Sequence, residues 1–260
     1  MGENSDKDVM VYDRFSCENC ADNGKLDFDF TMAFQPIVNC RTKEVFAYEA
    51  LVRGLNNESA FSVMSNLNDD NRYLFDQLCR VKAIALASKL KIECLLSINF
   101  LPNAIYKPER CIRTALAAAE KYSFPVEKII FEFTESEKIE DIEHLKKIVE
   151  YYMSKNFITA LDDFGAGYAG LGLLADFQTN LVKLDMGLIR EIDKKLARQL
   201  IVKNCLNLFG ELNITVIAEG VETREEMSWL RDAGVELMQG YYFAKPGFEC
   251  LPSVDFREGD

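Results

Sequence analysis

The stretch that decides the fold is residues 129–163, which read IIFEFTESEKIEDIEHLKKIVEYYMSKNFITALDD. It opens with a short apolar run, Ile129–Thr134, and closes with another, Ile158–Asp162, and both are typical of buried strands. Between them, apolar residues recur at helical spacing at Ile142, Leu145, Val149 and Tyr152. A strand, a helix and a second strand in this order indicate two parallel strands joined by a right-handed crossover.

The same alternation extends through the rest of the chain. Six further apolar runs predict strands at Met32–Val38, Val45–Leu51, Cys94–Phe100, Leu181–Asp185, Ile214–Glu219 and Val235–Gln239. Only six residues separate the first two runs, which is too few for a helical crossover, so these two strands are predicted to form an antiparallel hairpin. Eight strands with helices between them predict an α/β fold, a TIM-like (β/α)8 barrel with one antiparallel strand near the N-terminus.

One of the predicted helices is marked at both ends. Thr223 and Glu226 have the spacing of a capping box, in which each side chain accepts a backbone N–H of the other residue. Gly234 stands where a left-handed residue commonly ends a helix.

Length, composition and charge narrow the function classes. The chain has 260 residues, of which 48% are hydrophobic and 28% charged, which excludes a wholly disordered protein and suits one barrel of about 250 residues. We expect residues 1–28 to form a polar N-terminal extension and residues 29–260 the barrel domain.

The net charge of −12 argues against nucleic acid polymers and anionic membranes as partners. With no apolar run of membrane-spanning length and no apolar signal core, the chain is expected to be cytoplasmic.

Polar side chains stand at the carboxyl ends of the predicted strands. They are Glu49, Asn99, Glu132, Asp162, Asp163, Lys183, Asp185, Glu219 and Gln239. In a parallel barrel these ends share one face, where barrel enzymes build their sites. Carboxylates that converge there repel each other and must take up protons or bind cations, and an oxygen-rich set without clustered His or Cys suits Mg²⁺ or Mn²⁺. The pattern predicts a metal-assisted hydrolase, although each residue taken alone is more often a helix cap or a surface ion pair.

The strand ends also belong to longer sequence blocks. The blocks are Phe34–Val38, Tyr48–Arg53, Asn99, Phe131–Glu135, Asp162–Tyr168, Val182–Asp185, Ala218–Thr223 and Gln239–Tyr241. Together, and in this order, they resemble the EAL domains, a family of cyclic-di-GMP phosphodiesterases, over about residues 31–248. The variant around Glu49 is similar to EAL domains that occur alone or fused to blue-light sensor domains.

The resemblance implies hydrolysis of cyclic di-GMP to linear 5′-pGpG by in-line attack of a metal-activated water. The implied cofactors are two divalent cations, Mg²⁺ or Mn²⁺. By similarity, the first would be held by Glu49, Asn99, Glu132 and Asp162, and the second by Asp162, Asp163 and Glu219. Lys183 would join Glu49, Asp162, Asp163 and Glu219 as a catalytic residue and would orient or acidify the attacking water as a cation. The alternative for Lys183 is a plain salt bridge to Asp185.

Further roles also follow from the resemblance. Contacts to the substrate would come from Gln35, Leu51, Arg53, Asn99, Asp185 and Gln239, with Arg53 on a phosphate or, alternatively, in a surface ion pair. Glu222 would support the loop Asp163–Tyr168, which in the family often lies at a dimer contact. We therefore expect a homodimer, with a sensor or regulatory protein as a further partner.

Two other functions stay open at this point. Some relatives lose catalysis and serve as cyclic-di-GMP receptors or protein-interaction modules, but those usually lack metal ligands. A barrel hydrolase acting on another phosphodiester is the third alternative, against which Arg53 and Gln35 argue. The pair Cys17 and Cys20 could form half of a zinc site or a redox pair, although a single such pair is a weak signal.

Overall fold

The computed structural model describes residues 26–105, 107–134, 141–167 and 170–256, and these form the predicted barrel. Its eight strands are β1 (Thr31–Asn39), β2 (Glu44–Arg53), β3 (Leu95–Asn99), β4 (Ile129–Thr134), β5 (Ile158–Phe164), β6 (Leu181–Leu184), β7 (Thr215–Ala218) and β8 (Leu237–Gln239). All eight predicted strands are found, with ends that differ from the prediction by two residues or fewer.

One strand runs against the others and closes the barrel. Strands β2 to β8 lie parallel in sequence order, and β1 pairs antiparallel with both β2 and β8. In this register Gln35 lies opposite Glu49 of β2, and Ile37 lies opposite Gln239 of β8. The predicted antiparallel hairpin is confirmed. A two-residue strand that the sequence analysis did not predict, β9 (Gly247–Phe248), also pairs with β1.

Helices connect the strands on the outside of the barrel. They are α1 (Ala60–Met64), α2 (Arg72–Lys89), α3 (Pro108–Lys121), α4 (Ile142–Ser154), α5 (Gly170–Asp176), α6 (Met186–Ile189), α7 (Leu196–Glu211) and α8 (Arg224–Asp232), with short 3-10 helices at Pro102–Ala104 and Val126–Lys128. Helix α8 begins with the predicted capping box of Thr223 and Glu226, and Gly234 follows it with a φ of +98°. Within the described part of the chain, every helix is too short or too polar to cross a bilayer.

The apolar residues form two cores. A small one fills the barrel interior with Ile37, Ala47, Ile130, Ala160, Leu181, Ile217 and Leu237. A larger one packs the helices on the outer face of the sheet and includes Leu145, Val149 and Tyr152 of α4. Ile142, also predicted for this stripe, is the first residue of α4 and is 42% exposed, so the stripe starts one turn later than predicted.

The start of the described chain packs on this outer core. Leu26 and Phe28 are partly buried against it, and the Phe28 ring lies 6.2 Å from that of Phe75. Residues 1–25, with Cys17 and Cys20, lie outside the described residues, so the predicted extension and its boundary stay predictions.

Candidate active site

A buried lysine occupies the centre of the barrel mouth. Lys183 lies on β6, and its Nζ is 2.7 Å from Glu219 Oε1, 2.9 Å from Glu132 Oε2, 3.3 Å from Asp162 Oδ1 and 3.4 Å from Glu49 Oε2. Four predicted site residues from four different strand ends therefore meet at one ammonium group. The alternative salt bridge to Asp185 is wrong: that carboxylate caps α6 by accepting the N–H of Gly187 at 2.8 Å.

The alternation of strand side chains explains this convergence. Every second residue of a strand faces the barrel axis, so Glu132 follows Ile130 inward on β4, and Glu49 follows Ala47 inward on β2. The apolar side chains fill the lower interior of the barrel, and the next inward residues toward the mouth are the charged ones.

Two amide side chains donate to Glu49, and a third contacts one of them. Asn99 Nδ2 donates to Glu49 Oε1 at 2.9 Å, and Gln239 Nε2 donates to Glu49 Oε2 at 2.7 Å. Gln239 also lies 3.3 Å from Gln35 Oε1, and Gln35 in turn donates to the carbonyl oxygen of Ala244 at 3.2 Å. The amides predicted to contact substrate thus surround one predicted metal ligand.

Asp162 and Asp163 reach the same cluster although they are neighbours in one strand. Regular alternation would turn the second aspartate away, but the register of β5 against β6 shifts at this point, and Asp163 has a φ of +55°. The Asp163 N–H donates to Asp162 Oδ1 at 2.9 Å, and Thr134 Oγ1 donates to Asp163 Oδ2 at 2.8 Å. The left-handed backbone turns both carboxylates toward the mouth.

Burial and mutual repulsion perturb the titration of these groups. Burial raises the pKa of Glu132 to about 8, with repulsion from Glu49 and Asp162 adding to the rise and Lys183 opposing it. Burial raises the pKa of Glu219 well above its usual range, and repulsion from the Asp162 carboxylate adds to the rise. Burial alone would lower the pKa of Lys183, but its four carboxylate neighbours outweigh that effect and raise the pKa well above 10.5. Lys183 is therefore cationic, and the surrounding carboxylates need protons or further cations.

The acidic groups form two overlapping sets with the geometry for metal binding. Glu49, Glu132 and Asp162 each place one oxygen within 4.8 Å of the others, and so do Asp162, Asp163 and Glu219. Asp162 belongs to both sets, as the family resemblance implies. Glu132 Oε1 and Ser97 Oγ are both buried and have no well-formed hydrogen bond among the described residues, so Glu132 Oε1 is open to a ligand. The donor set fits two hard cations that share one carboxylate.

A cavity of about 270 Å³ opens above the cluster. Predicted residues along its wall are Gln35, Glu49, Asp163, Asp185, Glu219, Glu222 and Gln239. Four lining residues were not predicted as site residues: Met186, Gly220, Gly240 and Tyr241. Their position in the sequence could have identified them, because each lies one or two residues beyond a predicted polar strand end.

Besides Asp185, the predicted residues Leu51, Arg53 and Glu222 lie outside the carboxylate cluster. Leu51 and Arg53 are half-buried at the end of β2, and Arg53 donates to the carbonyl oxygen of Val52 at 2.7 Å. Glu222 is exposed and forms a two-point ion pair with Arg190, whose second amino group donates to Glu222 Oε1 at 2.8 Å. Tyr168 of the loop that Glu222 is predicted to support lies outside the described residues, so that role stays a prediction.

Comparison with known proteins identifies the family of this chain and structures similar to it. Residues 24–246 match the family model described as EAL domain. The c-di-GMP-bound structure of a standalone versatile EAL protein from Vibrio cholerae O395 is 72% identical, covers 89% of this chain and 98% of that chain, and has a TM-score of 0.87. The manganese/cy-diGMP complex of Klebsiella pneumoniae BlrP1 is 33% identical, covers 87% of this chain and 58% of that one, and has a TM-score of 0.81.

Curated relatives carry two kinds of name. The blue light- and temperature-regulated antirepressor BluF of Escherichia coli K12 is 31% identical over 242 residues, which is 93% of this chain and 60% of that protein. The probable cyclic di-GMP phosphodiesterase PdeG of the same strain is 30% identical over 223 residues, 82% of this chain and 44% of that protein. The chain thus spans about half the length of these two relatives.

Proposed function

The chain belongs to the EAL domain family, and on that premise we propose that it hydrolyses cyclic di-GMP to linear 5′-pGpG. The observation that carries the proposal is the pair of carboxylate sets that share Asp162 at the barrel mouth. Relatives named as cyclic di-GMP phosphodiesterases and related structures with bound cyclic di-GMP support the choice of substrate.

The reaction is a hydrolysis at one of the two phosphodiesters. The oxygen of water forms a bond to phosphorus in line with the departing 3′-oxygen, the P–O3′ bond breaks, the water gives up one proton and the 3′-oxygen takes one, so that the hydroxyl of the water stays on phosphorus. Two divalent cations, Mg²⁺ or Mn²⁺, would supply phosphate polarisation and water activation when held by Glu49, Asn99, Glu132, Asp162, Asp163 and Glu219.

Lys183 has an electrostatic role in this proposal. The four carboxylates around Lys183 raise its pKa and favour the ammonium form, so we assign it the role of a cation rather than that of the general base. Its ammonium group lies among the carboxylates from four strand ends, where it would oppose the negative charge that builds up on the phosphate oxygens and the departing oxygen during attack. The same contacts hold the side chain in one place and orient the water beside it.

Substrate binding is assigned to the amides and to one arginine. Gln35, Gln239 and Asp185 line the cavity and would hydrogen-bond the nucleotide, while Leu51 and Asn99 would border it. Arg53 would exchange its contact with the Val52 carbonyl for a charge-assisted bond to a phosphate oxygen.

The interaction-module alternative has one observation in its favour, the relative named as an antirepressor. The complete acidic set favours the enzyme instead, because a module without metal chemistry gains nothing from carboxylates that repel each other.

We further propose that the chain acts in the cytoplasm as a homodimer, to which a sensor or regulatory protein binds. Leu196 and Leu200 lie exposed on α7 four residues apart and so share one face of the helix, which suits contact with a second copy. Light scattering on the purified protein tests this: a mass of one chain would contradict it.

The decisive experiment is an incubation with cyclic di-GMP and Mn²⁺ or Mg²⁺, analysed for linear dinucleotide. We expect product from the unsubstituted protein and none from Glu49→Gln, which keeps the shape but loses the charge. Binding of cyclic di-GMP without product would support the receptor, and binding of neither nucleotide nor metal would support the interaction module. Glu222→Ala should lower kcat more than substrate affinity if Glu222 supports the loop.

A further inference from the structure

A buried ion pair lies behind the active site and outside the acidic cluster. Asp76 and Arg80 are four residues apart on α2, they are 2% and 0% exposed, and Arg80 Nη2 is 2.6 Å from Asp76 Oδ2. Such a pair is expensive to bury, and apolar residues of similar size often stabilise a protein equally well. The free energy of folding therefore does not explain why two charges lie here.

Asp76 is bonded to the backbone where β3 ends. Its Oδ1 accepts the N–H of Leu101 at 2.9 Å, and its Oδ2 accepts from Gln77 at 3.3 Å in addition to Arg80. Leu101 is two residues beyond Asn99, the amide that donates to Glu49. The carboxylate thus fixes the chain immediately after one proposed metal ligand.

Arg80 contacts the residues next to two proposed ligands. Its guanidinium carbon lies 5.6 Å from the ring centre of Phe100, which follows Asn99, and 5.2 Å from that of Phe131, which precedes Glu132. It also donates to Tyr152 Oη of α4 at 3.0 Å. A backbone bond of 2.9 Å from the Phe100 N–H to the Glu132 carbonyl oxygen joins the two strand ends.

We infer that Asp76 and Arg80 are positioning residues that hold Asn99 and Glu132, the ends of β3 and β4, in the geometry needed for the first cation. Charged groups suit this purpose because their hydrogen bonds and ring contacts are directional, whereas apolar packing alone would let the strand ends shift. Asp162, Asp163 and Glu219, the second acidic set, receive no contact from the pair among the described residues.

This inference rests on the proposed function, because it assumes that the acidic sets bind metal. The test compares Mn²⁺ binding, by calorimetry on the full chain, for the unsubstituted protein and for Asp76→Leu/Arg80→Met, which removes both charges together. We expect one of two Mn²⁺ sites to weaken by about tenfold, the lower end of what outer-sphere changes cost, while the other keeps its affinity. The Leu101 N–H loses its acceptor in this variant, so the melting temperature without metal should fall. A purely structural role would show that fall with both Mn²⁺ sites intact.

Two further variants sharpen the result. Asp76→Asn keeps an oxygen for the Leu101 N–H and should retain more affinity than the double variant, which also covers the case in which the double variant fails to fold. Lys82→Met is the matched control on the same helix, since its ammonium pairs with Asp29 at 2.5 Å and lies over the Phe30 ring, away from β3 and β4. We expect its Mn²⁺ binding to equal that of the unsubstituted protein.

The outcomes separate this inference from the proposed function. If the unsubstituted protein binds no Mn²⁺, the proposed function fails and the inference falls with it. If that protein binds two ions and Asp76→Leu/Arg80→Met binds both equally well, only the inference is overturned. Equal weakening of both sites, or the same loss in Lys82→Met, would also overturn it.

Discussion

Replacing Lys183 by methionine removes the only positive charge that the described residues place inside the acidic cluster. Methionine fills a similar volume without an ammonium group, so the four carboxylates that Lys183 contacts at 2.7–3.4 Å lose their counter-charge. Loss of one partner from a buried pair costs about 3–5 kcal/mol. Glu132, with a pKa of about 8, already holds a proton at neutral pH, so less negative charge is left without a partner and we expect a value near the lower end.

The expected loss is measurable by thermal unfolding. For a domain of this size, each kcal/mol shifts the melting temperature by about 2–4 °C, so a loss of about 3 kcal/mol predicts a decrease of about 6–12 °C without metal. Divalent cations would restore the missing positive charge. The rise in melting temperature on adding Mn²⁺ should therefore be larger for Lys183→Met than for the unsubstituted protein.

A matched lysine provides the control. Lys203 is exposed on α7 with its ammonium group 5.5 Å from the Trp229 ring centre, and Lys203→Met should change stability by no more than about 0.5 kcal/mol, with or without Mn²⁺. If Lys183→Met loses the same stability in the presence and absence of Mn²⁺, the lysine and the cations do not act on the same carboxylates, and the reasoning is refuted.

Three other changes have defined outcomes. Without metal, the free energy of unfolding should fall as pH rises from about 4.5 to about 8, because folded Glu132 keeps a proton that the unfolded chain releases near pH 4.5. Urea titrations at several pH values should show a shallower fall for Glu132→Gln than for the unsubstituted protein. The same slope in both proteins would contradict this. Gly240→Ala places a Cβ against the backbone of Val221 and should cost about 1–3 kcal/mol in the same titrations, whereas Gly210→Ala, in open space on α7, should be neutral or stabilising. Thr223→Ala should lower the melting temperature by about 2–4 °C through loss of the helix cap, with Thr223→Ser restoring it; no change would mean that the cap does not stabilise α8.

Most of the barrel could be predicted because its signals are local. The apolar run Ile129–Thr134 alone predicts a strand, and the alternation of side chains along it puts Glu132 in the barrel interior with Ile130. The short connection after β1 likewise settled the direction of that strand. Strand β9 has two residues and no apolar pattern, so no local signal could reveal it.

The site was predictable as a set of residues but not as a network. Sequence placed Lys183 beside Asp185, whereas the fold gives it four partners from distant strand ends, and only the closed barrel brings those together. Asp76 and Arg80 had no signal at all, because charged residues four apart on a helix are usually an exposed pair. Their burial depends on rings contributed by β4 and α4.

The central claim is that two divalent cations share Asp162 at the barrel mouth. Anomalous diffraction at the manganese edge, from crystals grown with Mn²⁺, measures this directly. We predict two peaks about 3.5–4 Å apart on either side of the Asp162 carboxylate. A single peak, or peaks away from Glu49, Glu132 and Glu219, would contradict it.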